Sequence, residues 1–78
     1  MRTAKDPHVI YTDLEKCSLQ LDAERRQRDK LKQLLAYAER SRVAQASAVI
    51  TSWLRDTRLR IQRLSARKSR LQRQLSRG

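Results

Sequence analysis

The chain has no glycine or proline between His8 and Arg77, and this absence constrains its fold more than any other feature. The single proline is Pro7 and the single glycine is the last residue, Gly78. Tight turns and β-hairpins normally rely on these two residue types. Only 38% of the 78 residues are hydrophobic and none is phenylalanine, so large groups for a globular core are few. The sequence therefore predicts an all-α protein that assembles as a coiled-coil or four-helix-bundle homodimer.

The first helix is predicted to begin just after Thr12. Residues 1–11 have the composition of a short extended or mobile lead. Thr12 followed by Glu15 fits a capping box, in which each side chain bonds the other's backbone amide. Apolar residues then recur at heptad spacing. We expect helix 1 at about 13–40, within a single helical domain over 12–78.

A second apolar stripe, more regular than the first, runs along the C-terminal half. From Ile50 to Leu75 it steps alternately by four and three residues, with Thr57 and Lys68 as polar interruptions. This spacing predicts an amphipathic helix 2 at about 44–77. Together the two stripes give the predicted oligomer core: Leu14, Cys17, Leu21, Leu31, Leu35, Ile50, Leu54, Ile61, Leu64, Leu71 and Leu75.

The segment 38–49 decides between two architectures. It could remain helical, giving one rod of about 95 Å, or turn within 41–47 and form a helical hairpin. Heptads counted from Leu14 reach Val49, whereas the second stripe uses Ile50, so the stripes differ in phase. A hairpin dimer would also pool four stripes into one bundle core. Because a 3.6-residue period from Leu14 reaches Ile50 without a break, the rod stays open, but we favour the hairpin.

Charge is distributed unevenly along the chain. The net charge is +11, of which residues 41–78 contribute +9, with Asp56 as their only acid. Such asymmetry indicates a polyanionic partner for the C-terminal half. Residues 13–40, by contrast, contain seven bases and six acids, as expected for a solvated helix whose charges nearly cancel.

The carboxylates of helix 1 are expected to form ion pairs and to have no catalytic role. Asp22 with Arg26, and Glu24 with Arg28, have the i, i+4 spacing of helical ion pairs. No histidine, cysteine or serine accompanies these carboxylates in an arrangement suited to catalysis. We therefore expect no enzymatic activity, no cofactor and no metal site.

Arginines form strips beside the apolar stripe of helix 2. One flank carries Trp53 and a row from Arg60 to Arg77, and the other carries Arg55 and Arg58 with serine and glutamine. The planar guanidinium fork matches phosphate oxygens. No base-reading motif is present, so binding should depend on duplex shape and charge. The predicted nucleic-acid-binding residues are Arg55, Arg58, Arg60, Arg63, Arg67, Arg70, Arg73 and Arg77.

Three other interpretations of the basic helix remain. It could be a solvated face, or belong to a coiled-coil adaptor or inhibitor that docks on an acidic protein surface. Protein interfaces favour large apolar anchors, and only Trp53 and Leu59 lie among the arginines. We place Trp53 at the edge of the core, with stacking on a ligand as the alternative. A membrane-surface helix is disfavoured by the single tryptophan and the absence of phenylalanine.

In size, charge and layout the chain resembles the small basic helical-hairpin dimers with which nodaviruses coat double-stranded RNA and suppress RNA silencing. This resemblance implies duplex RNA as a ligand in preference to DNA, because A-form RNA is recognised mainly by shape and backbone. It involves no residue motif, and no binding residue follows from it.

Two isolated residues bear on chemistry and location. Cys17 lies on the apolar stripe and is expected to be a small core residue, and His8 beside Pro7 is expected to bind nothing. A single cysteine cannot form an internal disulfide, which favours a reducing, cytoplasmic location.

Overall fold

Two α-helices joined by a short turn form a hairpin in the computed structural model, which describes residues 6–77. Helix α1 spans Pro7–Arg40 and helix α2 spans Ala44–Arg77. The helical hairpin predicted from the two stripes is confirmed, and the single rod is wrong. The two helices lie side by side in a slab with extents of 58 × 20 × 14 Å, which has two broad faces.

Helix α1 begins at Pro7, so the predicted start after Thr12 is wrong. The Asp6 carboxylate caps the helix by accepting a hydrogen bond from the His8 amide at 3.0 Å. Proline at the first helical position has its backbone angle already set and lacks an amide that would otherwise be unpaired. The Thr12 hydroxyl donates to the His8 carbonyl at 2.9 Å, which is an interaction within the helix. Of the predicted lead, residues 1–5 lie outside the described residues.

The turn closes without glycine. The Val43 amide donates to the Ala38 carbonyl at 3.1 Å, and the Arg42 amide donates to the Glu39 carbonyl at 3.2 Å. These two bonds have the pattern of a Schellman motif, which ends a helix with one left-handed residue. That residue is Arg42, with φ of 58°, at a position where glycine is usual.

The apolar seam between α1 and α2 forms the core of the hairpin. Near the turn, buried Leu31 and Ala38 pack with Ile50 and Leu54. Near the free ends, a second cluster contains Ile10, Cys17 and Leu71, with Leu14, Leu64 and Leu75 packed against it. Ile10 joins this core because α1 starts earlier than predicted.

All eleven residues of the predicted oligomer core lie on this seam, which pairs the two stripes of one chain. Six of them are buried and five are half-buried. Folding back at 41–43 lets each stripe cover the other within one chain. The half-burial of five seam residues shows how thin a two-helix core is.

The left-handed turn residue gives a test of the hairpin. Arg42→Gly should raise the free energy of unfolding by about 0.5–1 kcal/mol, because glycine adopts positive φ without steric cost. Ala36→Gly, on the exposed side of α1, should lower it by about 1 kcal/mol. Urea denaturation followed by circular dichroism measures both. A comparable loss of stability in both variants would mean that residue 42 is inside a continuous helix.

Candidate nucleic-acid interface

All eight arginines predicted to bind nucleic acid are exposed on α2, but the hairpin divides them between its two sides. Arg60 and Arg63 line a groove between the helices together with Gln20, Ala23, Glu24 and Leu64. Helical spacing continues this side of α2 through three more arginines. We call the resulting row the arginine face: Arg60, Arg63, Arg67, Arg70 and Arg77.

Arg55 and Arg58 lie on the opposite side of the hairpin. They line a second open groove, of about 620 Å³, whose wall includes Arg28 and Lys32 of α1. Arg73 lines neither of these two grooves, and its Nε donates to the Ser69 carbonyl at 3.5 Å. A duplex lying flat against one broad side of the hairpin therefore cannot reach all eight predicted arginines.

Three acids of α1 lie away from the arginine face, whereas Glu24 lines its groove. Glu15, Asp22 and Asp29 are spaced by seven residues, which puts them in one line along the helix. Asp29 precedes Lys32 by three residues, so this line belongs to the side of the 620 Å³ groove. One broad side of the hairpin is consequently mixed in charge, whereas the other is dominated by arginine.

Arg60 differs from the rest of the row because it is bound to the seam. Its Nε donates to Glu24 Oε2 at 3.1 Å across the two helices. Its Nη2 donates to the Thr57 hydroxyl at 3.1 Å, and that hydroxyl donates to the Trp53 carbonyl at 2.9 Å. Thr57 is only 1% exposed, so these bonds satisfy a polar group in the middle of the apolar seam. Arg60 thus helps hold the helices in register.

The pairing predicted within α1 is corrected by these contacts. Glu24 pairs with Arg60 of α2, and Arg28 pairs with the neighbouring Asp29 at 3.2 Å. Arg26 Nε donates to the backbone carbonyl of Asp22 at 3.4 Å. The i, i+4 spacing does not show that Glu24 faces the second helix. Its partner is 36 residues away, and the register of the hairpin determines which residue of α2 lies opposite Glu24.

The single cysteine, the other reactive side chain considered from the sequence, has a structural role. The Cys17 thiol is buried and donates to the Leu64 carbonyl at 3.2 Å, so it acts as a small core residue. Residues 6–77 contain no cluster of histidine, cysteine and acidic side chains that could hold a metal ion. Neither described helix has an apolar stretch long enough to cross a membrane.

Comparisons with known proteins give no relative from which function could be transferred. No protein-family model, no curated protein and no solved structure matches this chain. What can be said of its function rests on its own residues.

The cross-helix pair should contribute measurably to stability. In a double-mutant cycle of Glu24→Gln and Arg60→Gln, we expect a coupling of about 0.5–1 kcal/mol, since both side chains are partly exposed. The control cycle, Arg28→Gln with Asp29→Asn, joins two adjacent residues of one helix and should give about 0.3 kcal/mol or less. Urea denaturation measures both. Equal couplings would show that Arg60 does not hold the register.

Proposed function

We propose that this protein binds double-stranded nucleic acid, duplex RNA in preference to DNA, by laying its arginine face along the phosphates. One observation carries the proposal. Arg63, Arg67, Arg70 and Arg77 are exposed, and within residues 6–77 their guanidinium groups make no hydrogen bond or ion pair with the protein. Four fork-shaped donors held in a row are thus available to phosphate oxygens.

The length of the row supports a duplex ligand. Arg60 to Arg77 covers seventeen residues, which is roughly 25 Å of helix axis and comparable to a groove with its bordering phosphates. Phosphate contacts carry no sequence information, so binding should be independent of sequence. The preference for RNA follows from its A-form shape, which proteins recognise through backbone contacts, and from the resemblance in layout to nodavirus suppressors.

In this proposal the protein has no catalytic role and acts as a homodimer in the cytoplasm. Coating duplex RNA would withhold it from the enzymes of RNA silencing, which is the role that the resemblance implies. Docking on an acidic protein surface is the competing function, because the same arginines could meet carboxylates in place of phosphates.

A gel-shift series tests the ligand class. The protein is titrated against one 20-base-pair sequence as duplex RNA, as duplex DNA and as single-stranded RNA, and against a second, unrelated duplex RNA. We expect the tightest binding to duplex RNA, with the same affinity for both sequences because contacts are to backbone. Tighter binding to single strands, or absence of binding at about 0.1 M salt, would contradict the proposal.

Single substitutions test the arginine face. Arg63→Ala should weaken duplex binding by about 1 kcal/mol for every sequence alike, while helix content is kept because alanine is a good helix former. Arg63→Lys should weaken it less, since charge remains while the fork is lost. The matched control is Arg26→Ala, which removes an exposed arginine from α1. Equal, negligible losses for Arg63→Ala and Arg26→Ala would mean that the arginine face is a solvated surface.

A further inference from the structure

Four large hydrophobic side chains are exposed together near the turn. Exposed fractions are 51% for Leu34, 65% for Tyr37, 47% for Val49 and 53% for Trp53. None of them belongs to the seam clusters. Trp53, placed at the core edge from the sequence, is therefore a surface residue in this chain. We call these four residues the turn-end patch.

Helical geometry puts the turn-end patch on one side of the hairpin. Leu34 and Tyr37 each follow a groove-lining residue of α1, Gln20 or Ala23, by fourteen positions. Trp53 precedes Arg60 by seven positions and Val49 precedes Arg63 by fourteen. Whole heptads preserve the side of a helix, so the patch and the arginine face share one broad side.

The antiparallel register also brings the four residues to one level. Glu24 lies opposite Arg60, so residues 34 and 37 of α1 lie opposite 50 and 47 of α2. Val49 and Trp53 are correspondingly level with residues 35 and 31. The patch therefore occupies about 10 Å of the hairpin axis, which makes it a contiguous apolar surface at the turn end.

The surroundings of the turn-end patch suit a protein partner better than nucleic acid. Residues 34–53 contain only three charged side chains, Glu39, Arg40 and Arg42, for a net charge of +1. The rest of the chain carries the other +10. The four uncharged side chains of the patch offer phosphates no ion pair, whereas two such patches can meet without the repulsion that the arginine faces would impose.

The exposed area of the chain indicates how much surface remains for a partner. A compact monomer of 9.2 kDa exposes about 4,900 Å². This chain exposes 6525 Å², an excess of about 1,600 Å² that is spread along the elongated hairpin. Chains below about 80 residues commonly add oligomerisation to a thin core, and five of the eleven seam residues here are only half-buried.

We propose that a second copy of this chain docks on the turn-end patch, so that the two patches meet across a twofold axis. This inference rests on the homodimer of the proposed function and locates its contact on the surface beside the turn, away from the seam. Arg63 lies ten residues beyond Trp53, about 15 Å along α2. The contact therefore leaves Arg63, Arg67, Arg70 and Arg77 of both copies outside the interface.

Sedimentation equilibrium of the full chain without nucleic acid tests the contact. Leu34→Glu puts a charge in the patch and should raise the dimer dissociation constant at least about tenfold while helicity is retained. The matched control is Leu19→Glu, on the same helix, where leucine is 61% exposed and outside the patch. It should leave the dissociation constant unchanged. Trp53 is the only tryptophan, so its emission should shift to shorter wavelength as the protein is concentrated, and Leu34→Glu should abolish that shift.

Several outcomes would overturn the proposal. The first is a wild-type chain that stays monomeric at micromolar concentration. The second is the same dimer dissociation constant for Leu34→Glu and Leu19→Glu. The third is a Leu34→Glu variant that still dimerises and whose Trp53 fluorescence is quenched by duplex RNA. The last would assign the turn-end patch to the nucleic-acid site. Since the dimer is measured without nucleic acid, its failure is distinguishable from a failure of duplex binding, which the Arg63→Ala comparison reports.

Discussion

The packing of α1 against α2 along one apolar seam determines which side chains remain for function. Each helix has a single stripe, and the turn at 41–43 lets the two stripes cover each other. Thr57 and the Arg60–Glu24 pair interrupt this seam and satisfy one another. The apolar clusters on either side supply most of the burial, whereas the polar contacts favour one register over its alternatives.

This register separates three surfaces: the side of mixed charge, the arginine face and the turn-end patch. Their residues alternate along the sequence. Glu15, Asp22 and Asp29 lie with Arg55 and Arg58 on one broad side, while the other side carries the arginine face and the turn-end patch. Charge and apolar surface are further separated along the axis, because the patch lies at the turn and the arginines continue toward the free end. In the functions proposed above, a chain of 78 residues offers a polyanion one region and a second copy another.

Much of the hairpin could be predicted from periodicity, and the features that could not be predicted have identifiable physical causes. The stripe of α2 has six aliphatic residues at eight seam positions, a strong signal, whereas the turn is hidden because Arg42 occupies the position where glycine is expected. Asp6 and Pro7 formed a helix start that reads equally well as an extended lead. The sequence pattern predicts only phosphate binding for Arg60, because its bond to Glu24 depends on the register between helices, which no local pattern specifies.

The salt dependence of duplex RNA binding by the wild-type chain tests the central claim most directly. Each neutralised phosphate contributes about −0.7 to −0.9 to the slope of log Kobs against log salt. Four guanidiniums of one arginine face make no hydrogen bond or ion pair within residues 6–77, and they therefore predict a slope of about −2.8 to −3.6 per chain. A slope near zero, with affinity retained at high salt, would contradict the claim that this row of arginines holds the duplex.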